Sequence, residues 1–156
     1  MKPCVIFDID GTLADIEHRR PYAPGNYDLH GEDVAYVPSW KEFFARIPLD
    51  TPNKNVVTLA ALLYETGIPI VLATGRSECH RATTQEWMLA HSISYDLLYM
   101  RTSGDGRPDH VVKRELLARI RADGFEPWLV VDDRQSVVDM WRSEGLTCLQ
   151  CAPGDF

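Results

Sequence analysis

The chain reads as a three-layer α/β protein built on a parallel sheet, and two observations predict it. Short continuous apolar runs alternate with amphipathic stretches of helical length, and carboxylates, threonine and arginine gather just where the apolar runs end. Strands that alternate with helices need right-handed crossovers, and these place a helix layer on each face of the sheet. Length agrees: 156 residues fit one domain, 1–156, and suffice to bury a core.

The elements follow in order. Cys4 to Phe7 is apolar, and the first strand is expected over Pro3–Phe7. A polar, Pro- and Tyr-rich stretch runs from Asp15 to Pro38. A short helix is expected over Trp40–Ile47, with Ser39 as N-cap and Glu42 at the capping-box position. Val56, Leu59 and Leu63 share one face of a helix over Asn55–Glu65, which Gly67 stops. Pro69–Ala73 reads as a buried strand, Ser77–His91 as a helix with Trp87 and Met88 inward, and Leu97–Met100 as a short strand. A helix over Asp109–Ala122 ends at Gly124, Trp128–Val131 is the next apolar strand, and Gln135–Glu144 is a helix stopped by Gly145. Leu146–Gln150 closes the sheet.

Composition excludes several classes. Hydrophobic content is 45% and charged content 25%, as in a soluble globular chain. Net charge is 16 − 23 = −7, which argues against a broad basic footprint for nucleic acid but not against a small basic site. No apolar run reaches transmembrane length, and the N-terminus enters a strand directly, so no membrane span and no signal peptide are expected. Cys4, Cys79, Cys148 and Cys151 lack the spacing of a disulfide framework, which points to the cytoplasm. Cys148-Leu149-Gln150-Cys151 is a C-x-x-C without a second pair or a His partner, and coincidence is the expectation over zinc.

Phe7-Asp8-Ile9-Asp10-Gly11-Thr12-Leu13 carries the strongest chemical signal. Residues i and i+2 of a strand point the same way, so Asp8 and Asp10 leave the sheet together. Gly11 permits a sharp turn, and Thr12 offers a hydroxyl and a backbone N–H to an anion. In a parallel sheet, ligands bind beyond the carboxyl ends of the strands. Thr74-Gly75-Arg76 and Asp132-Asp133-Arg134 fall at two more such ends, and Lys113 lies one turn into a helix. Carboxylates gathered at one edge repel unless a cation sits among them, and Mg²⁺ suits all-oxygen ligands. Thr74, Arg76 and Lys113 suit a phosphate. Metal and phosphate together point to phosphoryl transfer.

Those four pieces, Asp8-x-Asp10-Gly11-Thr12, Thr74-Gly75-Arg76, Lys113 and Asp132-Asp133, resemble the motifs of the haloacid dehalogenase (HAD) superfamily in their order and strand-end positions. Four further stretches are similar to the 3′-phosphatase domain of bacteriophage polynucleotide kinase/phosphatase: Arg19-Arg20-Pro21-Tyr22, Arg107 to Lys113, Asp132 to Trp141, and Pro153-Gly154-Asp155-Phe156. The resemblance implies a Rossmann-like sheet and an Mg²⁺-dependent phosphomonoesterase acting on the 3′-phosphate of a nucleic-acid end or nucleotide. It implies Asp8 as nucleophile and Asp10 as general acid, then base. Mg²⁺ would be held by Asp8, the Asp10 carbonyl and one carboxylate of Asp132 or Asp133. Thr74 would bond the phosphoryl group, and Lys113 would neutralise charge.

The same resemblance adds Arg19, Arg76 and Asp109 as site residues. Arg20 is adjacent to Arg19, and Asp109 is placed one helical turn from Lys113 to orient it or a substrate group. Arg101 and Arg134 either touch a substrate sugar or backbone phosphate or remain surface residues. His18, His30, His80, His91 and His110 lack metal-ligand spacing and are expected at ordinary surface or loop positions.

The chain departs from the phage enzyme in two ways. No G-x-x-x-x-G-K-[ST] loop precedes strand 1, so no 5′-kinase activity is expected, and a kinase or ligase would be a separate partner. Residues 15–53 form a longer insert, too short for a full helical cap and expected as a small flap that leaves the site open to a large substrate's end. Tyr22, Tyr27, Tyr36 and Trp40 can stack on a base or pack the flap onto the body; packing is the expectation for Trp40. A 5′(3′)-nucleotidase or broad small-molecule phosphatase is the alternative enzyme, and a catalytically silent binding module is the non-enzyme alternative.

Overall fold

The structure, a computed structural model, describes residues 1–24 and 38–154. Tyr27, His30, Tyr36, Asp155 and Phe156, named above, lie outside the described residues. The strands are β1 (Lys2–Phe7), β2 (Ala14–Asp15), β3 (Thr51–Pro52), β4 (Ile70–Ser77), β5 (Leu97–Arg101), β6 (Phe125–Asp132) and β7 (Cys148–Gln150). The helices are α1 (Trp40–Ala45), α2 (Lys54–Glu65), α3 (Arg81–Ala90), α4 (Asp109–Ala122) and α5 (Gln135–Ser143). Five strands form one parallel sheet in the order β5-β4-β1-β6-β7, and β2 pairs antiparallel with β3.

Strand alternation divides the core into two. Cys4, Ile6, Val71, Ala73 and Val130 point to one side and pack with Val112, Leu116, Val137 and Trp141 of α4 and α5. Val5, Phe7, Ile70, Leu72 and Val131 point to the other side and meet Ala60 of α2 and Trp87 and Met88 of α3. A strand buried on both faces reads as a continuous apolar run because its alternate residues both find helices. The three-layer parallel fold expected from the sequence is the one observed.

Boundaries differ where local chemistry hid them. β4 runs on through Thr74-Gly75-Arg76 to Ser77, with its register against β5 shifting between Thr74 and Ser77. A 3-10 turn, Glu78–His80, then precedes α3, where one helix from Ser77 was expected. β6 begins at Phe125, although Pro127 lies inside it. Cys4 pairs with Pro127 but Val5 with Leu129, so Trp128 bulges out of the ladder, 47% exposed.

Candidate active site

Register builds the site. Phe7 pairs with Val131, which sets Asp8, the residue after β1, beside Asp132 of β6 at the carboxyl end of the sheet. β4, on the other side of β1, delivers Thr74, Gly75 and Arg76 to the same edge. Gly11 turns the chain after Asp10 with φ +82°, and a side chain there would collide with the Asp133 carboxylate. Gly75 is equally constrained, because a Cβ on it would run into Asp109.

One half of the site is a buried knot of carboxylates around Lys113. Its Nζ donates to Asp8 Oδ1 at 2.7 Å and Asp132 Oδ2 at 2.8 Å, and lies 3.7 Å from Asp109 Oδ2. The Trp141 indole N–H donates to Asp132 Oδ2 at 3.0 Å, and the Asp133 N–H to Asp132 Oδ1 at 2.9 Å. Burial pulls the Lys113 ammonium down, but Asp132, Asp8 and Asp109 more than reverse this and leave it well above its ordinary value. Burial raises the Asp8 carboxyl well above its usual range, Lys113 opposes, and Asp132 and Asp133 add to the rise. Asp133 is pushed up to about 6 by burial and then by Asp132.

Within this knot the carboxylates outnumber the positive charge. Oxygens of Asp8, Asp132 and Asp133 all lie within 4.8 Å of one another, and Lys113 compensates one of the three negative charges. A hard divalent cation fits such a set, as three oxygen donors with waters completing the shell suit Mg²⁺. The Asp10 side chain stands outside this group and points to the arginines.

The other half is a lattice of two arginines and two carboxylates. Arg19 Nη2 and Arg76 Nε donate to Asp10 Oδ1 at 2.7 and 2.9 Å. Behind them, Asp50 accepts from Arg19 Nε at 2.7 Å, Arg19 Nη2 at 2.8 Å and Arg76 Nη2 at 3.2 Å. His18 Nε2 lies 2.7 Å from Asp50 Oδ1, and the Asp50 carbonyl accepts from the Trp87 indole at 2.9 Å. Arg19, Arg76 and Asp50 are buried. The Arg19 guanidinium also lies 4.3 Å from the Phe43 ring centre. Burial raises the Asp10 carboxyl, but Arg76 and Arg19 outweigh it and hold it at about 2.

The remaining candidates divide. Thr74 is buried, and its hydroxyl accepts from the Arg76 N–H at 3.1 Å. Thr12 is buried too: its hydroxyl donates to Asp8 Oδ2 at 3.2 Å and its N–H closes the turn onto Ile9 O. That N–H is thus engaged in the turn, not free for an anion. Arg101 donates to the carbonyls of Gly75, Asp105 and Arg107 and reaches Asp109 at 3.4 Å, so it ties the 102–107 loop to the site edge. Arg134 Nη1 lies 3.9 Å from Asp109 Oδ2. A cavity of about 470 Å³ opens above these groups, lined by Asp8, Asp10, Trp40, Phe44, Arg101 and Arg134 among others.

Trp40 departs from expectation: it does not pack the insert down but is 56% exposed at the cavity, and Phe43 is the buried aromatic of α1. His18 and His80 sit in 3-10 turns, His18 exposed, yet each has a partner near the site: His18 bonds Asp50, and His80 stacks on Phe44 with centroids 4.6 Å apart. Asp50 itself escaped the sequence reading. Its one visible signal was a lone acid between the apolar Ile47-Pro48-Leu49 and Thr51-Pro52. Of the C-x-x-C pair, Cys148 is buried in the core while Cys151 lies against Thr12 Oγ1 at 3.7 Å. Among the described residues neither joins a metal-binding group.

A parallel sheet whose carboxyl edge gathers Asp8, the Asp132-Asp133 pair and a lysine from the helix packed behind it is the arrangement of a phosphatase of HAD type. The family follows from comparison: residues 2–156 match the Polynucleotide kinase PNKP phosphatase domain, and the chain belongs to that family. It is similar to a chain in the structure of the Pnkp1/Rnl/Hen1 RNA repair complex, with 30% identity, TM-score 0.82 and all of this chain covered. A second structure of the Pnkp1/Rnl/Hen1 complex matches with the same identity and TM-score. This chain spans 44% and 48% of the length of those two. CbbY from Rhodobacter sphaeroides in complex with phosphate shares the fold at 18% identity and TM-score 0.61, covering 100% of this chain and 88% of that one. Among the described residues, no helix is long and apolar enough to cross a membrane.

Proposed function

We propose that this chain is an Mg²⁺-dependent phosphomonoesterase that removes the 3′-phosphate from a polynucleotide end through an aspartyl-phosphate. The observation that carries the proposal is the Asp8–Lys113–Asp132 cluster at the floor of an open cavity. Membership of the polynucleotide kinase phosphatase family supports the 3′-phosphorylated substrate. Residues 1–156 act as one phosphatase domain, and residues 15–53 are a small flap that borders the cavity through α1. The RNA repair complexes among its structural neighbours support a separate ligase or kinase as partner.

Asp8, held through Oδ1 by Lys113, lines the cavity and attacks phosphorus in line with the ester oxygen. Asp10 gives its proton to the departing 3′-oxygen, and then takes a proton from the water that attacks the aspartyl-phosphate. In the free protein Arg19 and Arg76 hold Asp10 as the anion, so the proton it gives has to arrive with the substrate, from solvent or the phosphate monoanion, as the substrate's negative charge offsets the two guanidiniums. Lys113 offsets charge on Asp8 and on the phosphoryl oxygens, and the Thr74 hydroxyl bonds one of them. Mg²⁺ held by Asp8, the Asp10 carbonyl and one of Asp132 or Asp133 would supply Lewis-acid charge neutralisation. Asp109 orients Lys113, and Arg101 and Arg134 face the substrate from the cavity wall.

Phosphate release tests this directly. A 3′-phosphorylated oligonucleotide is compared with a 5′-phosphorylated one, a 3′-dNMP and a 5′-dNMP, each with Mg²⁺ and with EDTA. The expected result is preferential release from the 3′-phosphorylated oligomer, lost in EDTA and lowered at least ~10³-fold in Asp8→Asn. Equal or faster release from mononucleotides would convert the reading to a nucleotidase.

A further inference from the structure

The cavity above Asp8 has a charged floor and an aromatic wall. Trp40 and Phe44 of α1 stack with centroids 5.9 Å apart at 28°, and Phe44 stacks on His80 at 29°. Trp40 and Phe44 both line the cavity, and His80 backs Phe44. Trp40, at the outer end, has Phe43 against it edge-on at 83°. Its indole lines the cavity yet is 56% exposed. A large flat ring half in water at the edge of a cavity offers its face to a ligand. The fold does not need Trp40 to hold α1, because Phe43 is buried there against Arg19, and Ser39 caps the helix by accepting from the Glu42 N–H.

We propose that Trp40 stacks on the nucleobase of the terminal nucleotide whose 3′-phosphate lies at Asp8, an assignment that rests on the function proposed above. A ligand with a phosphate at one end and a flat ring at the other matches both the floor and the wall. A purely apolar ligand would strip solvent from Asp8, Asp10 and Asp133 in the same cavity and offer their oxygens nothing in return. A volume of about 470 Å³ lies in the range of small-ligand sites. Arg101 and Arg134 line the same cavity and bring positive charge to the sugar–phosphate between the two ends. Every base presents a π-face, so the wall selects for a base without selecting which one.

The test compares two 3′-phosphorylated oligonucleotides that differ only in the terminal residue, one bearing its base and one abasic. In the wild type, kcat/KM favours the base-bearing end by about tenfold or more, the factor that one base–aromatic stack carries. In Trp40→Ala that ratio falls close to one, and in Trp40→Phe most of it returns. All four bases give similar ratios. The proposal is overturned if the wild type accepts the abasic end equally, or if Trp40→Ala slows both substrates by the same factor. Should no 3′-phosphorylated polynucleotide release phosphate while other phosphomonoesters do, the functional reading itself fails, and the nucleobase assignment with it.

Discussion

Asp50 takes hydrogen bonds from both arginines that hold Asp10, and it does so from a fully buried position. Two guanidiniums and two carboxylates make a neutral lattice, so removal of Asp50 strands two buried cations on Asp10 alone. Removing one partner of a buried charge pair costs about 3–5 kcal/mol, so Asp50→Ala is expected to lose stability on that scale in urea unfolding. Asp50→Asn keeps the shape but turns an amide N–H toward a guanidinium, and kcat/KM is expected to fall about 10²-fold through misplaced arginines. An Asp50→Asn variant with near wild-type kcat/KM would show that the lattice is not needed to position Arg19 and Arg76. The residues that sit in a motif, Asp8 and Asp132 at strand ends and Lys113 in the first turns of α4, were legible because their neighbours in sequence are their neighbours in the motif. Asp50 was not, because its partners lie 26 to 32 positions away and one isolated acid carries no pattern.

Among the elements, β5 and α4 are tied by a contact away from the catalytic edge. Tyr99 of β5 donates its hydroxyl to Asp123, the C-cap of α4, at 2.6 Å, and the ring carries Arg119 at 5.6 Å. Burial, and then Asp123, push the Tyr99 hydroxyl from 10.0 to about 12. The folded value lies above the unfolded one, so this contribution is complete below pH 10 and disappears as pH rises through 12. Tyr99→Phe is expected to cost about 1 kcal/mol at pH 8, with the gap to wild type closing by pH 11–12. Urea midpoints of both proteins across that range are the check, and a gap that stays constant with pH would separate the hydroxyl from the shift. Element types were legible from periodicity, and α4 has the expected bounds, Asp109–Ala122. Strand ends were harder. The Thr74-Gly75-Arg76 extension of β4 has the composition of a turn, and Pro127 and the bulged Trp128 break the apolar run of β6. In both cases pairing to a neighbouring strand, a long-range contact, overrode local propensity.

For the molecule as a whole, net charge sets how much nucleic acid it can hold. Acids outnumber bases 23 to 16, and several arginines are already committed: Arg107 to Asp105 and Glu115, Arg121 to Glu126, and Arg114 to Glu144. Those pairs leave no continuous basic track for a phosphate backbone among the described residues, so binding is confined to the last nucleotide or two. A single strand contributes about −0.7 to the salt slope for each phosphate neutralised, and two or three contacts give a slope of no more than about −2. The expectation is therefore that KM changes by less than about threefold when a 3′-phosphorylated oligonucleotide is lengthened from four to twenty residues, and that its salt dependence is equally shallow at both lengths. A KM that falls steadily with length, with a salt slope that steepens alongside it, would reveal a backbone track that the charge distribution of this chain does not provide. On the function proposed above, the acidic surface belongs with end recognition: an enzyme that grips only a terminus has no need of a basic face, and repulsion along the rest of the strand would help it to let go once the phosphate has left.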